Sequence, residues 1–137
     1  EGVQAEQTPD EQFTYTYHER LFMEEQFTDV MRRLTTNMST RRAILYTWLP
    51  QIDNNAKDVP CLQSVHFIVR DGNLNVLVSI RSNDVLSAFG PNTFGFVKLQ
   101  QHVAGLLGVD IGTYTHIIGV AHMYPMRDAA DLERWMV

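Results

Sequence analysis

The chain has 137 residues, of which 45% are hydrophobic, 10% aromatic and 20% charged, a globular mixture that excludes disorder over the whole chain and collagen-like or low-complexity structure. With 16 Asp and Glu against 11 Lys and Arg the net charge is −5, which disfavours general nucleic-acid binding, because that relies on many basic side chains neutralising phosphates. The length fits one domain with a real core, the single Cys61 excludes an internal disulfide, and no apolar run approaches the roughly 18 residues of a membrane span. A lone cysteine and a polar start without a secretory leader fit a cytoplasmic protein, and opening on Glu1 rather than Met fits a processed or partial product.

In chain order, 1–12 reads as a polar N-terminal segment and Phe13–Tyr17, alternating aromatic with Thr, as a short strand or extended entry. Met23, Phe27, Val30, Met31 and Leu34 recur at three- and four-residue spacing and predict an amphipathic helix over 18–34. Ala43–Leu49 predicts a strand stopped by Pro50, and 51–60 a polar loop that delivers Cys61 to the start of the next strand. Ser64–Arg70 and Leu74–Ile80 flank Asp71-Gly72-Asn73, a strong hairpin signal. Asn92–Leu107 predicts a largely buried helix stopped by Gly108, Tyr114–Val120 a strand, and Asp128 caps a last short helix through Trp135. The interleaving predicts one α/β or α+β domain over 13–137.

Cys61 reads either as a packing residue or as a nucleophile, the latter needing a neighbour that favours thiolate. Arg81 lies at the far end of the hairpin that begins after Cys61, and closing the hairpin brings the two together. Arg41-Arg42 reads as solvated charge or as a phosphate site, since the guanidinium fork suits a dianion. His122 and Tyr124, two residues apart after a strand, share a face where they serve either structure or a ligand. There is no Gly-rich phosphate loop, and the five histidines show no metal-ligand spacing, so no metal is expected.

Taken in order, several segments resemble the thymidylate synthase family. Tyr17-His18-Glu19-Arg20-Leu21 is similar to its Tyr-Gly-x-x-x segment, and Ser39-Thr40-Arg41-Arg42-Ala43 to its Ser-Arg-Arg run. Asp58-Val59-Pro60-Cys61 is similar to the Pro-Cys of the nucleophile, and Arg81-Ser82-Asn83-Asp84-Val85 to the Arg-Ser-x-Asp-Val signature. From Arg81 the pattern runs without a gap through Asn92 to Gly119-Val120-Ala121-His122-Met123-Tyr124, similar to Gly-Asp-x-His-x-Tyr, so the resemblance covers about residues 13–124.

The resemblance implies a mixed sheet packed by helices, dimerising through the sheet, and a C5 one-carbon transfer to a pyrimidine nucleotide with 5,10-methylenetetrahydrofolate as co-substrate. Cys61 would add to C6 of the base, the covalent step that makes C5 nucleophilic. Arg81 would bind phosphate and favour the thiolate, Ser82 would join the phosphate site, and Arg41 and Arg42 would reach the partner subunit's nucleotide. Asn92 would read the O4 and N3 edge of the base, His122 and Tyr124 the sugar 3′-hydroxyl, and Asp84 would face folate and base. An amide at Asn92 suits uracil, and a buried polar mismatch of about 1–3 kcal/mol enforces that choice, so dUMP is the expected substrate and dTMP the product. The alternatives are a dCMP, CMP or dUMP hydroxymethylase, in which water captures the methylene intermediate, and a catalytically silent nucleotide-binding or interaction domain.

The chain departs from the pattern at Leu62 in place of His, at Ile80 in place of Gln, at Gly90-Pro91 before Asn92, and at Val120-Ala121, which removes an Asp. It is also shorter than the family's chains, lacking the N-terminal part with the Glu–Trp motif and a further phosphate Arg, and the C-terminal tail that closes over folate. Loss of the Glu, one acid–base group, would cost about 10²–10⁴-fold in rate.

Overall fold

A computed structural model describes residues 15–135; the expected polar segment 1–12 and Phe13-Thr14 lie outside the described residues. Of the expected extended entry, Thr16 is extended but serves as the N-cap of helix α1 (Tyr17–Phe22). Its hydroxyl accepts from the Glu19 N–H at 3.1 Å while the Glu19 carboxylate accepts from the Thr16 N–H at 2.7 Å, a reciprocal capping box that makes Tyr17 helical.

The helix expected over 18–34 is broken. After α1 a 3-10 turn over Met23–Glu25 carries Glu24 and Glu25 at φ 50° and 57°, and a second helix, α2, runs over Gln26–Thr36. The Gln26 amide explains the break. It donates to the Arg20 carbonyl at 3.0 Å and the Tyr46 carbonyl at 3.1 Å, and accepts from the Tyr46 N–H at 3.1 Å. These bonds satisfy main-chain groups at the end of α1 and in strand β1 (Ile44–Tyr46), which is shorter than Ala43–Leu49. The expected 51–60 loop contains one helical turn, α3 (Pro50–Asp53), with Pro50 in its first turn, where a missing N–H costs nothing. Here Arg20 and Asp53 form a buried two-point ion pair at 2.8 and 3.3 Å, tying α1 to α3.

Strands β2 (Leu62–Arg70) and β3 (Asn73–Asp84) form the expected hairpin. Asp71 and Gly72, at φ 52° and 75°, have the paired positive φ values of a type I′ hairpin turn. Helix α4 (Phe89–Leu107) begins three residues before Asn92 and ends at Gly108, whose φ of 66° closes the helix in the left-handed region. Strand β4 (Asp110–His122) outruns Tyr114–Val120 at both ends, and α5 spans Ala129–Trp135.

The sheet order is β1-β2-β3-β4; the first two pairings are antiparallel, and β4 returns parallel to β3 through α4. Alternation sends Leu62, Val65, Phe67 and Val69 of β2, and Leu74, Val76, Val78 and Ile80 of β3, to one face. There they pack with Val30 and Leu34 of α2 and Phe96, Val103 and Leu107 of α4, each fully buried side chain contributing about 1.5–3 kcal/mol. Where the β3–β4 register slips between Leu74 and Val76, the buried Gln100 amide donates to the Leu74 carbonyl at 2.8 Å and the Gly112 carbonyl at 3.2 Å. No helix among the described residues is long and apolar enough to cross a membrane.

Candidate active site

The half-buried Cys61 sits one residue before β2. Leu62 pairs with Ile80, so antiparallel register puts Cys61 opposite Arg81, and the Arg81 N–H donates to the Cys61 carbonyl at 2.8 Å. The Arg81 guanidinium folds back over the residues preceding the thiol, its Nε donating to the Pro60 carbonyl at 3.1 Å and its Nη2 to the Val59 carbonyl at 2.9 Å. Both acceptors are neutral, so the side chain is fixed without losing its charge. Register slips between Leu62 and Ser64, a bulge that re-aims the strand beside the cysteine. On the other side, a Cβ at Gly119 would stand 2.8 Å from the Arg81 carbonyl oxygen, so β4 lies against Arg81 at a distance only glycine allows.

Two tyrosines border this corner. The Tyr17 hydroxyl accepts from the Leu62 N–H at 3.3 Å. Burial, and then the neighbouring Cys61, push the Tyr17 phenol up; burial, and then Asp58, do the same for Tyr15. Both therefore hold their protons at neutral pH. Tyr17 opened one of the motifs but drew no role from the sequence, because its approach to the cysteine depends on α1 docking at the start of β2.

Further along β3, Ser82 Oγ lies 3.2 Å from His122 Nδ1, and the His122 ring stands edge-on to Tyr124 with centroids 5.2 Å apart. Asn92 Nδ2, in the first turn of α4, donates to Asn83 Oδ1 at 3.0 Å. This commits one of the Asn92 amide protons; the other and the carbonyl oxygen have no partner among the described residues. Asn83 was not singled out from the sequence; it is buried, and its own Nδ2 has no partner among the described residues.

Asp84 is buried at the end of β3 with its carboxylate saturated. Oδ1 accepts from the Leu86 and Ser87 N–H groups at 3.0 and 3.2 Å; Oδ2 accepts from Ser87 Oγ at 2.6 Å and from Arg127 Nη2. Burial works against the charge, but the bonds from Ser87 and Arg127 outweigh it and hold the Asp84 carboxyl well below the usual range. Arg127 also binds Asp128, Nε to Oδ1 at 2.6 Å, and lies over the Tyr124 ring at 4.6 Å. Arg127 lies beyond every recognisable motif, and only its neighbour Asp128 hints at an ion pair. Asp128 precedes α5 as expected, yet its carboxylate serves Arg127 and the Tyr124 N–H at 3.0 Å.

Cys61, Arg81, Ser82, Asn92, Asp84, His122 and Tyr124 thus gather where β2 starts and β3 and β4 end. Arg41 and Arg42 do not join them. They are exposed ahead of β1, where Ala43 meets Phe67, six residues along β2 from Cys61 and so about 20 Å away. The departures at Leu62 and Ile80 are a cross-strand pair, 0% and 1% exposed, packed into the core.

The thymidylate synthase family model matches residues 3–133. The chain belongs to the thymidylate synthase family. A Methanocaldococcus jannaschii protein named "Putative thymidylate synthase" is 40% identical over 136 residues, covering 90% of this chain and 61% of its own length. One of the same name from Methanothermobacter thermautotrophicus is 38% identical over 129 residues, covering 90% of this chain and 58% of its own. The structure of thermostable thymidylate synthase A from Bacillus subtilis superposes with a TM-score of 0.73 at 31% identity, over 81% of this chain and 40% of that one. The fold implied by the resemblance, a mixed sheet packed by helices, is the one found. The chain spans about three-fifths of the length of these curated relatives.

Proposed function

We propose that the protein carrying this chain is a transferase that methylates C5 of dUMP to give dTMP, with 5,10-methylenetetrahydrofolate as both one-carbon and hydride donor. The observation that carries the proposal is the Cys61–Arg81 corner: the Arg81 main chain bonds the Cys61 carbonyl, and its guanidinium, among the described residues, bonds the neutral carbonyls of Val59 and Pro60 just ahead of the half-buried Cys61. Such a cation suits an incoming phosphate, whose dianion the planar guanidinium fork matches. The Cys61 thiolate attacks C6, electron density moves to C5 and O4, and C5 bonds to the methylene carbon as one of its two bonds to folate nitrogen breaks. C5 then loses its proton, the remaining carbon–nitrogen bond breaks to release tetrahydrofolate and leave an exocyclic methylene, hydride from tetrahydrofolate reduces that methylene and leaves dihydrofolate, and the sulfur departs from C6.

Asn92 donates to O4 and accepts from N3–H of uracil, with its second N–H held by Asn83. Ser82 sits on the phosphate side, His122 and Tyr124 meet the sugar hydroxyl, and Asp84 lies towards the folate. Arg41 and Arg42 serve the nucleotide of a second copy, in a homodimer joined through the open sheet face. On that face register aligns Ile44, His66, Leu77 and Thr115 in one row and Tyr46, Ser64, Ser79 and Ile117 in the next, with Tyr46 and Ile117 51% and 49% exposed. Nucleotide biosynthesis in the cytoplasm is the setting such a reaction fits.

Turnover of the full protein with methylenetetrahydrofolate and either dUMP or dCMP tests this. The expected product is dTMP from dUMP alone; a hydroxymethyl nucleotide would replace hydride by water as the final acceptor chemistry, and turnover of dCMP in place of dUMP would overturn the reading of Asn92.

A further inference from the structure

We infer that Arg127 is a positioning residue of the nucleotide site, clamping the Asp84 carboxylate and the Tyr124 ring through one guanidinium. The inference rests on the proposed function for its catalytic consequence, but on geometry for the contacts. Arg127 follows β4, and its side chain gathers three segments. It bonds Asp84 and, at 3.3 Å, Ser87 Oγ at the end of β3. It binds Asp128, ahead of α5, at 2.6 and 2.9 Å. Its Cζ lies over the Tyr124 ring, 4.6 Å from the centroid.

The backbone supports the same join: the Tyr124 N–H donates to Asp128 Oδ2 at 3.0 Å, and the Val85 N–H to the His122 carbonyl at 2.9 Å. Asp84 would be a costly buried group if ionised without its partners. Three of its four acceptor contacts are local and come from its own turn; Arg127 supplies the one formal positive charge among them. Tyr124 is exposed; Arg127 and the His122 ring meet its ring, while Asp128 holds its main-chain N–H. One side chain therefore sets both the charge at the residue directed to folate and the orientation at the residue directed to the sugar.

The test uses Arg127→Gln and Arg127→Lys in the full protein, with Asp84 followed by carboxyl-carbon NMR and nucleotide turnover followed against pH. In Arg127→Gln the Asp84 midpoint is expected to rise towards the ordinary carboxylate range, the acid limb of kcat/KM to move up with it, and the nucleotide KM to increase about threefold through the lost stack on Tyr124. Arg127→Lys is expected to keep the Asp84 midpoint near its original position while the KM still rises, because an ammonium lacks the planar face. A folded Arg127→Gln protein with an unmoved Asp84 midpoint overturns the inference, as does an unchanged KM in Arg127→Lys. Failure of the unsubstituted protein to turn over defeats the proposed reaction alone, since the Asp84 titration is read without substrate.

Discussion

Arg81 and Arg127 stand at the two ends of one site and are held in opposite ways. Arg81 is tied to the carbonyls of Val59 and Pro60, neutral acceptors that fix its position and leave its charge available. Arg127 is tied to the carboxylates of Asp84 and Asp128, which neutralise it and raise its own protonation midpoint further. A guanidinium on carbonyls keeps its charge for a further partner, the phosphate in the function we propose; one on carboxylates is a clamp. A third arginine, Arg20, completes the series: it is buried in an ion pair with Asp53 that ties α1 to α3.

Substitutions can break this contrast. The largest stability loss is expected for Asp53→Asn, which leaves the buried Arg20 charge without its counter-ion and costs about 3–5 kcal/mol, read by denaturant unfolding. Arg81→Ala is expected to lower nucleotide affinity by roughly ten- to a hundredfold, the value of a charged hydrogen bond, with little change in stability; calorimetry with dUMP measures it. Equal losses from Arg81→Ala and Arg127→Gln would erase the distinction between anion site and clamp.

Acid sensitivity separates the two ends further. Because the folded Asp84 carboxyl lies below its unfolded value, its contribution is whole above about pH 3.9 and is lost as pH falls through the lower folded midpoint. Asp84→Asn should therefore flatten the acid limb of an unfolding series, and Arg81→Ala should leave that limb as it was. The smallest effect expected is for Tyr17→Phe, which removes the acceptor from the Leu62 N–H at a cost of about 1 kcal/mol, measurable as a shifted unfolding midpoint.

The parts of this molecule legible in its sequence are those set by local chemistry. Asp71-Gly72 specifies a turn through its own φ preferences, and Gly108 ends α4 by the same means. Cys61 and Arg81 follow from the hairpin, because the register that pairs Leu62 with Ile80 leaves them opposite each other. What sequence spacing concealed depends on distant partners. Nothing between Met23 and Gln26 marks a helix break; the Gln26 amide bonded to Tyr46 does, from 20 residues away. Asn83 gains its place only when α4 presents Asn92, and Arg127 only when the end of β4 meets the end of β3. Asp128 shows both sides: it lies at the start of α5 as its type predicts, yet its carboxylate is drawn to Arg127 and Tyr124.

Intact mass of the full protein after incubation with methylenetetrahydrofolate and 5-fluoro-dUMP tests the role of Cys61 most directly, because fluorine at C5 cannot leave as a proton does. The expected result is a mass increase equal to one nucleotide plus one folate, localised to Cys61 by peptide mapping and absent from Cys61→Ala. An adduct that persists in Cys61→Ala, or none in the unsubstituted protein, would contradict a covalent role for this thiol.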